Sequence, residues 1–382
     1  MTVTGARNAP DIVDVVALGE SMVTFLPTRP GRLADVPAFE RAIGGAESNV
    51  ACVLAACGHS TRWVSRVGAD GFGQHLVERI AGYGVDTSAV SVDAGRPTGI
   101  YFRTAADRAT DAHEVAYYRT GSAASAMAVD NVDLAAVRAG RLLHLSGITA
   151  ALSGDCLALM RELTAPRPGR PLVSFDVNHR PALWPDTDGP RVLLELARCA
   201  DIVFVGDDEA RQAWGLHGGR AILEALPEPE IVVVKQGSGG ATVFDRNTEG
   251  LQDDDGTATF VRAPRVDVVA HVGAGDAFAA GFLSATLRGL PPRERIRHGH
   301  LMAAAALTTP GDLAVPPTHH PATAPQGARP GAERPGGPPS QRPSWMSRAD
   351  RLAALDDEAW GRLRLGPGWT QAGEATEEAN TA

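Results

Sequence analysis

The 382-residue sequence is 44% hydrophobic and 21% charged, enough apolar material for one large domain or two smaller ones. Its net charge of −9, with lysine nearly absent, lacks the basic face that a nucleic-acid backbone requires. No apolar run reaches the ~18 residues of a membrane span, and the N-terminus shows no positive stretch followed by an apolar one, so neither a membrane segment nor a signal peptide is expected.

In chain order, a polar leader of about ten residues precedes an apolar run from Val13 to Leu18, read as a buried strand that ends in a turn at Gly19-Glu20. Residues 21–45 are broken by Pro27, Pro30 and Pro37 and suggest short strands and loops. Ser48 to Gly58 reads as a packed helix closed by a glycine. Arg62 to Gly68 reads as a second strand and Phe72 to Tyr83 as a helix. The four cysteines, Cys52, Cys57, Cys156 and Cys199, form no C-x-x-C pair and have no zinc spacing, which favours reduced thiols in a cytoplasmic interior.

Gly99–Arg103 and Val115–Arg119 are β-prone runs joined by a polar turn, a hairpin pattern. Strand-like runs then alternate with helical spans, at Leu142–Leu145, Leu172–Asp176, Ile202–Val205, Ile231–Lys235 and Thr242–Asp245. That alternation predicts an α/β fold with a mostly parallel sheet covered on both faces. The segments 20–45 and 98–120 predict a small β-sheet lid inserted into it. From Pro316 to Pro343 there are nine prolines in 28 residues and no Val, Ile, Leu or Phe, so this stretch is expected to be a disordered linker. Beyond it, in 344–382, Arg348 to Leu365 regains a helical pattern and reads as a short helix in a C-terminal tail, able to dock on the core or on a partner.

The run Gly273-Ala274-Gly275-Asp276 opens a helix that extends to about Arg288. The first helical turn offers free N–H groups and the positive end of the dipole, and its glycines let backbone approach a phosphate. A carboxylate at 276 beside such a site can take a proton from a hydroxyl while the N–H groups steady charge on a transferring phosphoryl group. An ordinary first-turn acid is the competing reading. Neither a Walker A motif nor a strict G-x-G-x-x-G is present.

Gly273-Ala274-Gly275-Asp276-Ala277-Phe278 resembles the C-terminal signature of the ribokinase-like (PfkB) carbohydrate kinases. Gly44-Gly45-Ala46-Glu47-Ser48-Asn49 resembles the same family's N-terminal glycine motif, and Lys235-Gln236-Gly237-Ser238-Gly239-Gly240 its K-x-G-x-x-G segment. The resemblance spans about Val13 to Val315. It implies a three-layer α/β/α kinase domain over 12–315 with a β lid, ATP and Mg²⁺ as cofactors, and Asp276 as base beside the anion hole of Gly273, Ala274 and Gly275. It further implies sugar contacts from Gly44, Gly45 and Asn49, nucleotide contacts from Lys235, Gly237, Ser238 and Gly240, and a possible lid-to-lid homodimer.

Tyr117-Tyr118-Arg119 and Asp176-Val177-Asn178-His179-Arg180 resemble the 2-keto-3-deoxygluconate kinase branch. The implied substrate is a sugar acid held by Tyr101, Arg103, Tyr117, Arg119, Asn178 and Arg180, since a carboxylate calls for guanidinium partners. For each arginine a surface position is the alternative reading, and for each tyrosine lid packing. Phe39 is a candidate pocket wall or a core residue. Two positions depart from the family pattern. Ala270-His271-Val272 stands where Asp-Thr-Thr is usual, and Gly206-Asp207-Asp208-Glu209 stands for N-x-x-E, keeping only Glu209 as a metal position through water. A kinase for a neutral ketose such as fructose, and a non-catalytic sugar- or nucleotide-binding regulator, are the alternatives these residues leave open.

Overall fold

The computed structural model describes residues 11–29, 31–104, 114–184, 188–247, 258–314 and 344–370. The chain begins with β1 (Val13–Leu18), β2 (Met22–Pro27), β3 (Phe39–Gly44) and α1 (Ala46–Ala56). Then come β4 (Thr61–Val64), β5 (Arg66–Gly68), α2 (Gly71–Ala81), β6 (Ser91–Asp93), β7 (Ile100–Arg103) and β8 (Val115–Tyr118). The central stretch is α3 (Leu134–Arg138), β9 (Gly140–Ser146), α4 (Gly147–Ala150), α5 (Gly154–Thr164), β10 (Leu172–Asp176), α6 (Gly189–Arg198) and β11 (Ile202–Gly206). It continues through α7 (Asp207–Trp214), α8 (Gly218–Ala225), β12 (Ile231–Lys235), β13 (Ala241–Asp245), β14 (Ala258–Val261) and β15 (Arg265–Val266). Helices α9 (Ala274–Leu287), α10 (Pro292–Leu307), α11 (Ser344–Ala353) and α12 (Asp357–Arg362) precede β16 (Arg364–Leu365).

Eight strands form the main sheet in the order β14-β13-β12-β11-β10-β9-β1-β4. Six run parallel, from β12 through β4, while β13 and β14 add an antiparallel edge. Side-chain alternation sorts each strand between two cores. Val15, Ala17, Phe204 and Val233 face the core beneath α1, α9 and α10. Val16, Leu18, Val203 and Val232 face the other, beneath α5 and α6. With both faces buried, β11 and β12 are almost continuously apolar and β1 is so from Val15 to Leu18, which makes their positions readable in the sequence. Helix starts are fixed locally: the Asp70 carboxylate accepts from the N–H groups of Phe72 and Gly73, and the Ser153 hydroxyl oxygen from that of Cys156.

The lid is a separate four-stranded sheet, β3-β2-β7-β8. Tyr101 pairs with Tyr117 across β7 and β8, so period 2 puts both, with Arg103, on one face. Phe25 stacks on Phe102 at 4.7 Å and Phe39 meets Phe102 edge-on at 5.2 Å. Phe39 therefore packs within the lid and does not wall the pocket.

Two sequence expectations need correction. Arg62–Gly68 is not one strand, because the chain changes sheets at Ser65: β4 joins the main sheet and β5 pairs with β6. The segment after residue 344 is more than one short helix on a tail. It forms α11, α12 and β16, and buries Trp345, Met346, Leu352, Trp360, Leu363 and Trp369 in the core shared with α9 and α10. The proline-rich linker 316–343, the polar turn 105–113 and the last dozen residues lie outside the described residues.

Candidate active site

A cavity of about 670 Å³ opens at the carboxyl ends of the parallel strands, between the main sheet and the lid. This is where open α/β sheets leave a crevice, because the chain leaves β1 in one direction and returns on its other side at β9. Asp176 at the end of β10, Asn178 and Arg180 just beyond it, Glu209 in α7 and Lys235 at the end of β12 line its floor. Gly44, Gly45 and Asn49 line it from the start of α1, and Tyr101, Arg103, Tyr117 and Arg119 from the lid. The run from Ala270 to Asp276 closes one end.

Helix α9 starts at Gly273, which is left-handed with φ 74°. A Cβ there would lie 2.3 Å from the Asp312 carbonyl oxygen, so both backbone and space demand glycine. The N–H groups of Ala274, Gly275 and Asp276 belong to the first turn and lack helical acceptors. Asp276 accepts a hydrogen bond from Asn49 Nδ2 at 2.8 Å. Burial pushes its carboxyl up to about 7; the Asn49 bond opposes this, and the nearby Asp176 and Asp312 add to it. A carboxylate poised there is matched to a general base at neutral pH.

Lys235 is the only lysine in the sequence. Its Nζ lies 2.8 and 3.1 Å from the two Asp176 oxygens. Burial works against its charge, but Asp176 and Glu209 outweigh this and hold its pKa above the ordinary value. A Cβ on Gly275 would sit 3.7 Å from that Nζ, so the ammonium lies directly under the first turn of α9. Gly237, Ser238 and Gly240 form the turn after β12 and stand outside the cavity lining, with Gly240 packed against Val261 and Arg262.

Glu209 accepts from the Gly206 N–H at 2.8 Å and lies 3.7 Å from Arg180; burial raises its pKa. Among the described residues no group of three or more His, Cys, Asp or Glu could hold an ion alone. Of the described residues on this part of the floor, Glu209 is thus the lone acid besides Asp176 that could reach a cation brought by a ligand. Asn178 carries φ 42°, the one non-glycine residue with a positive φ among those described, and its N–H donates to Asp176 at 3.2 Å.

Two guanidiniums expected to be free for a substrate are already paired. Arg103 donates to Asp312 at 2.9 Å, and Arg119 pairs with Glu20, which also accepts from the Ser122 hydroxyl at 2.5 Å. Arg180 remains half-exposed at the cavity edge. Asp312 was not singled out from the sequence. It is buried beside Tyr101, Arg103 and Asn49; burial raises its pKa while Arg103 opposes. The one sequence signal for it was an isolated acid following Gly311 in an otherwise apolar stretch. Polar atoms buried here remain unmatched: Asn49 Oδ1, Asn178 Oδ1, Arg103 Nε and Arg119 Nε have no hydrogen-bond partner.

Comparison with protein families matches residues 13–319 to the pfkB family carbohydrate kinases. The chain is 32% identical over 312 residues to 2-dehydro-3-deoxygluconokinase of Thermoproteus tenax, covering 81% of this chain and 92% of that one. It is 34% identical over 317 residues to the Bacillus subtilis enzyme of the same name, covering 80% and 93%. A probable chloroplastic fructokinase of Arabidopsis thaliana is 30% identical over 313 residues, 79% of each chain. Among solved structures, a PfkB protein from Polaromonas sp. JS666 superposes with a TM-score of 0.68 at 35% identity, covering 77% of this chain and 95% of that one. The chain belongs to the pfkB family of ATP-dependent carbohydrate kinases.

Proposed function

We propose that the protein transfers the γ-phosphoryl group of ATP to the primary hydroxyl of 2-keto-3-deoxygluconate, giving the 6-phosphate. The observation that carries this reading is the set of unmatched polar atoms around one cavity. A buried polar atom without a partner costs about 1–3 kcal/mol, and Asn49, Asn178, Arg103 and Arg119 each leave one at the cavity wall. Both acceptors and guanidinium donors wait there, as a hydroxylated, anionic ligand requires.

In this reading the sugar lies between lid and sheet. Gly44 and Gly45 let it approach the backbone, and a side chain at either would collide, with Tyr101 Oη 2.2 Å from a Cβ on Gly44. Tyr117 and Arg119 face its acid end, and Asp312 accepts from a hydroxyl while keeping Arg103 oriented. Asp276, held by Asn49, takes the proton of the attacking hydroxyl. The N–H groups of Ala274, Gly275 and Asp276 and the Lys235 ammonium stabilise charge on the transferring phosphoryl group. Asn178 and Arg180 contact the sugar acid from the sheet side, and the turn of Gly237, Ser238 and Gly240 borders the nucleotide. Mg²⁺, when bound with the nucleotide, would supply charge neutralisation of the phosphates, and Glu209 would be the residue to hold it through water. Lid closure over Tyr101 and Tyr117 excludes competing water.

A neutral ketose is the second reading. It is favoured by the internal pairing of Arg103 with Asp312 and of Arg119 with Glu20, which leaves less positive charge for a carboxylate. A coupled assay of ADP release with 2-keto-3-deoxygluconate and with fructose separates the two. The expected kcat/KM ratio is at least ~10² in favour of the acid, because a site built for polar partners rejects an analogue that lacks them. A ratio near one, or one favouring fructose, overturns the acid-sugar assignment.

A further inference from the structure

The segment from Arg262 to Val272 leads directly into the anion-binding turn, yet it has little regular structure of its own. Five of its backbone groups have partners that locate it. The Arg262 carbonyl accepts from Trp360 Nε1 at 2.8 Å. The N–H of Arg265 donates to Leu363 at 3.0 Å, and that of Asp267 to Leu365 at 2.9 Å. The N–H groups of Val269 and Ala270 both donate to the Leu307 carbonyl. Three of the five are thus fixed by residues 360–365, which lie beyond the family match that ends at 319.

The grip is itself anchored. Trp360 is 3% exposed, and the Arg297 guanidinium lies 4.7 Å from its ring centroid. Arg297, buried in α10, donates to the Ala353 and Leu355 carbonyls and to Asp357. The nucleotide-side turn leans on the same place, since a Cβ on Gly240 would lie 2.4 Å from the Val261 carbonyl oxygen and 3.0 Å from Arg262 Cα.

We propose that α12 and β16 act as a clasp that positions the 262–272 segment, with Trp360 as the positioning residue for nucleotide binding. Trp360 touches neither substrate. It acts by holding the wall between the Gly240 turn and the Gly273 turn at one spacing, so that both can meet one triphosphate. This rests on the reading that the phosphates lie at the Gly273 turn.

The test is Trp360→Phe, which keeps an aromatic ring under Arg297 and removes the N–H donated to Arg262 together with part of the buried indole's volume. Calorimetry with MgATP alone is expected to show affinity lowered about fivefold, the worth of one buried hydrogen bond. KM for ATP should rise by a similar factor, with KM for the sugar and kcat within twofold of wild type. Hydrogen exchange should quicken at Arg265 and Asp267. Glu195→Gln, on α6 in the exposed pair with Arg161 and away from the clasp, is the control and should leave MgATP affinity unchanged. If Trp360→Phe lowers the unfolding midpoint but leaves MgATP affinity intact, or weakens ATP and sugar alike, the clasp is a structural cover and the proposal is overturned. Should that variant be insoluble, Arg364→Ala breaks only the exposed pair with Asp267 and carries the same test, with an expected loss of about twofold and an unchanged affinity as the overturning result. Because calorimetry needs no sugar, a wild-type protein that binds MgATP but phosphorylates neither sugar defeats the substrate assignment and leaves the clasp testable.

Discussion

Asp276→Asn is expected to lower kcat by at least ~100-fold and, at pH 8, to raise the unfolding midpoint. The loss of turnover follows from losing the only carboxylate that sits in the first turn of α9 and is held by Asn49. The gain in stability follows from the same burial. A carboxyl raised from 3.8 to about 7 on folding binds its proton more tightly in the native state than in the unfolded chain. Stability therefore falls as pH rises from about 4 to about 7 and stays low above that. A neutral amide avoids this cost, an upper limit of about 4 kcal/mol at pH 8, reduced by whatever water reaches the cavity. The advantage of the variant should shrink as pH falls from about 7 toward about 4 and vanish near pH ~3, where Asp276 is protonated in both states. For the wild type, kcat/KM should fall about tenfold per pH unit below pH 7 as the base is protonated. Turnover within tenfold of wild type in the variant, or a kcat/KM flat between pH 5.5 and 8, would remove Asp276 from the role of base.

The parts of this site that were legible in the sequence are those that local chemistry dictates. Strand β12 is an uninterrupted apolar run ending in Lys235, β10 is one broken only by Ser174 and ending in Asp176, and the Gly273 turn needs glycine for backbone reasons. What was not legible depends on partners brought together by the fold. Arg103 looked free for a substrate because its carboxylate, on Asp312, lies 209 residues away. Arg119 looked free for the same reason, with Glu20 at the far end of the first strand. The run Arg62–Gly68 is uniformly β-prone, and only the tertiary arrangement decides that Ser65 is where it changes sheets. The helical pattern after residue 344 was visible, whereas the surface that receives Trp345, Trp360 and Trp369 is made by α9 and α10 and carries no mark in the segment itself.

Lys235→Met is expected to destabilise the protein by about 3–5 kcal/mol, because it leaves Asp176 buried and unpaired. The Asp176 side chain is 4% exposed and both its oxygens face the ammonium. With the lysine gone, the carboxylate must be protonated or draw water into the floor of the cavity. Pairing Lys235→Met with Asp176→Asn removes both charges and should recover most of the lost stability, since the two residues act as one unit. Affinity for MgATP should behave differently. It should stay low in the double variant, because the cation beneath Gly275 is still missing whatever happens to Asp176. Stability restored without affinity identifies Lys235 as a phosphate-site cation. Affinity restored along with stability would show that the pair serves only to hold the sheet ends together. The wild type offers an independent check, because the sequence contains no other lysine. A folded-state pKa above the usual lysine value keeps the amine charged. Acylating reagents at pH 8 should then place no ε-amine label on the native chain and one on the denatured chain. Rapid labelling of the native chain would mean that the amine is not held as an ammonium by Asp176, and the electrostatic role assigned to it under the anion-binding turn would fail with it.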